Sequence, residues 1–434
     1  MRRWLVCTVI LAGVLWCAPH GNADDVKFDW GYTQRARQEF WQDVFDFNSD
    51  VSKNDNFFRF KSTLWGKVDF SPQVSLYAAL TNESRYYLTS RRKPGEYFDS
   101  DELVVDNLYL DFKKLLDGKL DIRLGRQNLF IGGLLLFADG TPGDGSRTFY
   151  FNALRTTWRV TPAASLDFIY IDNPRTDIYL PVWNDEKKAL NVSDERAVAL
   201  YGSIKANDCL TVEPYVVHKT EEAVDADGDL NLETVGSRVV WSRTPSALRA
   251  ELAWQFGEYD SGVNRNGLAA TLFYDRSFPA AKGKPKLTLG GIYLSGENIP
   301  QRGWDPLFSR YPWFSEGFGL SQMYYWSNIS SLQAGAKWML TDKVALEILE
   351  AYLWANDYYD HAFTRELAGI GPLLNTGPDR SKDRGFLSTA KVSWKAAKWL
   401  DTYLLLEYFQ PDDFYAPTAQ DPSFFLRWEM MFRF

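Results

Sequence analysis

From about residue 26 onward the chain repeats one pattern. Stretches of about ten to fifteen residues alternate apolar and polar positions, and no run of about 18 consecutive apolar residues follows the opening segment. Leu248-Arg249-Ala250-Glu251-Leu252-Ala253-Trp254-Gln255-Phe256 and Ser331-Leu332-Gln333-Ala334-Gly335-Ala336-Lys337-Trp338 show it most clearly. A period of two gives a strand with one apolar and one polar face, and the missing apolar runs exclude a helical multi-span membrane protein. Disorder is excluded too, because 45% of residues are apolar and 16% aromatic.

The punctuation alternates as well. Short turns fall at Ser71-Pro72-Gln73, Leu116-Asp117-Gly118, Thr161-Pro162-Ala163, Asn207-Asp208, Thr244-Pro245-Ser246, Thr341-Asp342 and Ala397-Lys398, with a longer one from Phe278 to Pro285. Between them lie mostly long polar connections. The breaks predict eighteen strands, at about 26–40, 57–70, 73–88, 102–114, 118–128, 147–160, 163–173, 194–206, 209–219, 231–244, 246–260, 264–277, 286–297, 328–341, 343–357, 384–396, 399–410 and 421–434. An even strand number with short turns at one end and long loops at the other is the pattern of an all-β, transmembrane antiparallel β-barrel of the bacterial outer membrane, with periplasmic turns and extracellular loops. Within hydrocarbon every backbone polar group must pair, and a closed barrel leaves no edge. The segment from Phe424 to Phe434 alternates and ends on an aromatic residue, as terminal strands of such barrels do. A soluble β-sandwich or propeller shares the alternation, but no blade repeat is visible.

Residues 1–23 read as a secretory signal: Arg2 and Arg3, an apolar stretch from Trp4 to Cys17, then Gly21-Asn22-Ala23 with cleavage expected after Ala23. No linker divides residues 24–434, which form one barrel domain. The chain carries 48 Lys+Arg against 56 Asp+Glu, and loss of Arg2 and Arg3 makes it more acidic, so nucleic acid is not an expected partner. Cys209 is left alone, and His218 and His361 lie far apart, so no metal site and no cofactor are expected. The Asp225-Ala226-Asp227-Gly228-Asp229 stretch lacks the register of a calcium loop and reads as a solvated acidic loop. No GxSxG-like turn occurs and both histidines fall at loop ends, which argues against a barrel hydrolase and for a protein that is not an enzyme.

If the apolar face, with Trp30, Phe60, Leu64, Leu252, Trp254 and Trp428, meets outer-membrane lipid, parity assigns the lumen. It receives Arg35, Arg37, Arg59, Lys61, Arg85, Asp111, Arg123, Arg155, Arg159, Arg238 and Arg249, with Glu39, Glu83, Glu213, Glu251, Glu407, Glu429 and further bases such as Arg427. Bases outnumber acids in this set although the chain is acidic, as expected of a pore that selects anions. The alternative is that each arginine pairs with a lumen acid and braces the wall. Arg126 breaks the parity and needs either a bulge at Gly125 or a strand that has already left the bilayer; Asp106 and Glu350 raise the same difficulty. The segment from Ile131 to Gly145 is too Gly-rich for a strand and too apolar for an exposed loop, so it either folds inward as a constriction or packs as an outer loop.

A family resemblance enters at Leu120-Asp121-Ile122-Arg123-Leu124-Gly125-Arg126-Gln127, followed by a Gly-rich stretch and Asn152-Ala153-Leu154-Arg155. With Gln34-Arg35-Ala36-Arg37-Gln38-Glu39 and Asp106-Asn107-Leu108-Tyr109-Leu110-Asp111, this resembles the alginate export family of outer-membrane channels. The resemblance implies an eighteen-stranded monomeric barrel with an arginine-lined pore, Arg126 included, that exports a polyuronate. One departure is plain: the family has a long periplasmic plug loop before its seventeenth strand, whereas Lys395 to Leu400 makes a tight turn here. The expected partners are an anionic saccharide or polysaccharide and outer-membrane lipid, with a small-solute porin as the alternative. Direction of transport, a periplasmic export partner and oligomeric state stay open.

Overall fold

The computed structural model describes residues 26–44, 46–50, 54–89, 97–139, 151–184, 189–190, 193–223, 227–297, 302–309, 327–358, 374–375, 377 and 380–434. The signal assigned to residues 1–23 lies outside the described residues.

Strands follow in the order β1 Lys27–Gln42, β2 Asp55–Asp69, β3 Val74–Thr89, β4 Phe98–Lys114, β5 Leu120–Gln127, β6 Leu129–Ile131, β7 Phe137–Asp139, β8 Phe151–Thr161, β9 Ala164–Asn173, β10 Val182–Trp183, β11 Glu195–Asn207, β12 Leu210–Glu221, β13 Leu230–Arg243, β14 Ser246–Tyr259, β15 Asn264–Ser277, β16 Lys286–Leu294, β17 Phe308–Ser309, β18 Ile329–Met339, β19 Val344–Trp354, β20 Asp383–Ala397, β21 Leu400–Pro411 and β22 Ser423–Arg433. Four of these, β6, β7, β10 and β17, are short additions; the other eighteen form the barrel predicted by the alternation. Every barrel neighbour pairs antiparallel, and β22 closes on β1 from Thr33 opposite Arg433 to Gln42 opposite Phe424. No barrel edge is left to template further pairing.

Outward positions are apolar and exposed, with Trp30 at 64%, Leu64 at 49%, Leu252 at 58% and Trp254 at 54%, so this is the face that meets lipid. β5 is short, and on its β4 side its ladder covers only Leu108 to Phe112. Above it β10 takes the vacant ladder, setting Val182 and Trp183 opposite Val104 and Leu103.

The apolar Gly-rich segment turns into the barrel. β6 and β7 form a hairpin, and β17 adds to β7 in parallel. A side chain at Gly132 would strike the Tyr201 hydroxyl, and one at Gly133 would strike Glu251 and Arg238, all three on the inner wall. Only glycine admits so close an approach. Leu129, Leu135, Leu136 and Phe137 are buried among the inner faces of the opposite strands. Each such side chain contributes about 1.5–3 kcal/mol by leaving water, which holds the hairpin inside. Of the two sequence alternatives the inward one is realised over residues 131–139; residues 140–145 lie outside the described residues.

Candidate functional site: the inner wall

On the wall made by β22, β1, β2 and β3 the inward side chains stack in three layers along the barrel axis. Nearest the short turns lie Gly31, Trp65 and Tyr77; in the middle lie charges; nearest the long loops lie Trp41, Phe57, Tyr87 and Phe425. The upper layer is an aromatic cluster, with Trp41 to Phe425 at 5.5 Å and Phe57 to Tyr87 at 5.6 Å between centroids.

The middle layer carries the charged residues predicted for these four strands. Arg37, Arg59 and Arg85 are in register across three strands, and Arg35 faces Lys61. Like charges directly opposite repel, so this arrangement stands only with carboxylates between them. Glu83 supplies one, fully buried, with Arg59 and Arg85 each at 2.7 Å and Arg35 at 3.5 Å. Glu429 accepts from Arg37 and Glu39 from Arg427 at 2.8 Å, while Trp41 Nε1 donates to the other Glu39 oxygen. Arg35, Arg37, Arg59 and Lys61 are all buried in this network.

Further round the wall the pairs are simpler and wetter. Asp111 accepts twice from Arg123, at 2.6 and 2.9 Å, and Asp167 accepts from Arg155 at 2.5 Å. Arg123 and Arg155 are directly opposite each other across β5 and β8. Arg159 pairs with Asp121 at 2.5 Å, Arg238 with Glu213 at 2.7 Å and Arg249 with Asp275 at 3.2 Å.

Arg126 stands apart. Pairing runs unbroken through Gly125, with Leu124 opposite Leu110 and Arg126 opposite Leu108, so there is no bulge and Arg126 keeps the outward parity of Leu124. It is nonetheless buried, making 2.7 Å bonds to both oxygens of Asp177 and one to Asn152, beneath the segment that leads to β10. It anchors that segment to the barrel wall. Asp106 is explained by a register shift at Ala79/Leu80: the extra residue in β4 turns inward, where Thr81 donates to it at 2.5 Å. Glu350 stays on the outward face, accepting from Ser388.

One cluster has no counterpart in the sequence reading. Lys219 on β12 reaches Glu195 and Asp305 at 3.2 Å each, and also Glu221; Arg265 on β15 pairs with Asp305 at 3.2 Å. Asp305 belongs to the connection after β16, which enters the lumen and places Phe308 beside Phe137. Burial pushes its carboxyl up, but Lys219 and Arg265 outweigh this and hold it below the ordinary aspartate range. This ion cluster therefore ties the second inward segment to the wall. Nothing local in the sequence announces it, since its three contributing strands, β11, β12 and β15, and the loop meet only in the closed barrel. Among the described residues no group of His, Cys, Asp and Glu is arranged to hold a metal ion.

Comparison with known proteins fits this geometry. Among solved structures the fold is similar to a BenF-like porin from Pseudomonas fluorescens Pf-5 (TM-score 0.60, 11% identity, 94% of this chain and 98% of that one). It is also similar to OccAB1 of Acinetobacter baumannii (0.59, 10%, 94% and 96%) and to OccK2 (OpdF) of Pseudomonas aeruginosa, solved in complex with glucuronate (0.58, 11%, 95% and 99%). No curated protein matches. A family model described as alginate export matches residues 26–423, nearly the whole described barrel. An eighteen-stranded barrel with a lipid-facing apolar band, an inner wall of paired charges and this match together make the chain a member of the alginate export family, a channel of the bacterial outer membrane.

Proposed function

We propose that the channel passes a linear, uronate-rich anionic polysaccharide. The observation that carries this reading is the sharing of Glu83 by three arginines. Pairing on that wall does not neutralise it, so a positive potential remains inside an acidic protein and draws anions toward the lumen. The accessible guanidiniums of Arg123 and Arg155 are the groups such a chain would meet. A glucuronate complex of a barrel with the same fold supports a uronate as an admissible solute.

A small-solute, anion-preferring porin is the second reading, favoured by one observation. β20 runs to Ala397 and β21 starts at Leu400, with Ala397 opposite Leu400, so no periplasmic plug interrupts this hairpin. Planar-bilayer recordings separate the two. Uronate oligomers are expected to block ion current in a length-dependent way and more strongly than neutral oligosaccharides of equal size. Equal block by both would refute the polyuronate reading and leave the porin.

A further inference from the structure

The layer nearest the short turns holds a row that no charge pairing explains. Trp65 on β2 and Tyr77 on β3 have ring centroids 6.0 Å apart and planes 19° from parallel; Tyr77 and Tyr109 on β4 are 5.1 Å apart at 17°. The guanidinium of Arg123 on β5 closes the row, 4.0 Å from the Tyr109 centroid. Register creates it, since Tyr77 is opposite Tyr109 and Asp111 opposite Arg123. On β1 a side chain at Gly31 would come within 2.8 Å of the Trp65 ring, so the glycine gives the indole a bed on the wall.

These rings are half-buried rather than buried. Among the described residues, the Tyr77 and Tyr109 hydroxyls and the Trp65 indole N–H make no hydrogen bond. The contrast with the opposite wall is instructive. Tyr201 and Tyr215 also stack, 5.6 Å apart and 9° from parallel, but their hydroxyls donate to Glu213 at 2.7 Å and Glu251 at 3.1 Å, and the Gly132-Gly133 turn roofs them. That pair is finished as structure; the Trp65 row still has accessible ring surface and unused donors. Arg123 is similar, because both of its bonds to Asp111 come from Nε and Nη2, leaving Nη1 uncommitted.

We propose that Trp65, Tyr77, Tyr109 and Arg123 form a saccharide-stacking track in the periplasmic half of the lumen, taking successive pyranose rings of an acidic sugar chain. The C–H faces of the sugar pack on the aromatic rings, its hydroxyls bond to the tyrosine hydroxyls, and a ring carboxylate meets Arg123 Nη1. Contacts of this kind are individually weak, as passage requires, since a solute held by several weak sites in succession enters readily and still leaves. The acidic character of the chain rests on the polyuronate reading above; the stacking does not.

The test uses the full-length channel in planar bilayers, with a hexameric uronate and maltohexaose added on the periplasmic side. In the Tyr77→Leu/Tyr109→Leu double variant the residence time of both sugars is expected to fall about tenfold, with reversal potential unchanged. The Tyr77→Phe/Tyr109→Phe variant is expected to retain residence within about threefold, because the ring faces remain. Arg123→Gln should shorten residence of the uronate alone. Insertion is checked by unitary conductance, and single Tyr109→Leu serves if the double variant does not insert. Unchanged residence in the Leu variants overturns the track, as does an equal loss in the Phe and Leu variants. Sensitivity to the Leu variants without preference for uronate keeps the track and removes the polyuronate reading; preference for uronate without that sensitivity does the reverse. Absence of block by either sugar in the wild type overturns both.

Discussion

Two stretches of the inner wall solve the same problem with opposite results. Across β1, β2 and β3, Arg37, Arg59 and Arg85 face one another in register; across β5 and β8, Arg123 faces Arg155. In the first stretch the side chains of Arg37 and Arg59 are each 8% exposed and share carboxylates in a branched network. In the second, those of Arg123 and Arg155 are 34% and 35% exposed, and each pairs with a single aspartate, Asp111 and Asp167. The sequence pattern of the two is alike. Burial is what separates an arginine that holds the wall together from one that a solute can reach.

Three perturbations probe that difference, in falling order of expected effect. Glu83→Gln removes the buried carboxylate that three arginines share, two of them buried, so the barrel is expected to lose about 3–5 kcal/mol in equilibrium urea unfolding, as for any buried ion pair broken from one side. Asp167→Asn on the open stretch should lose much less; a comparable loss would mean that both stretches are bracing. Next comes selectivity. Arg123→Gln with Arg155→Gln is expected to move the reversal potential toward cations, more so in dilute salt because screening weakens there. Arg37→Gln with Arg59→Gln is expected to move it less, and a larger shift from the buried pair would reverse the assignment. The smallest effect is expected at the surface pair of Arg159 and Asp121, where a double-mutant cycle should give a coupling of about 0.2–1 kcal/mol that fades in high salt.

Sequence reasoning reached the lumen positions because parity alone decides which face a side chain takes. It failed to place three carboxyl or guanidinium groups for three different reasons. Asp106 follows a register shift, which no local pattern marks. Arg126 keeps its outward parity and is buried by a segment some 50 residues further on, through Asp177. Glu350 simply sits outward beside Ser388. The inward side of Trp65, Tyr77 and Tyr109 is legible, since all three share the parity of Lys61, Glu83 and Asp111, but their stacking into a row depends on register between strands.

The sequence by itself determined the eighteen strands, the turn and loop asymmetry and the inner and outer faces, because alternation with a period of two is a local property that bilayer and lumen read directly. The tertiary structure decided the rest. Which arginines share Glu83, which aromatic rings stack and which aspartate ties down the segment carrying Phe308 all depend on register between strands and on where the long loops enter the barrel. Register shifts side chains against their neighbours without changing the alternation, and loop entry is set by glycines meeting the opposite wall. Both are properties of the closed barrel, and neither is written in any single strand.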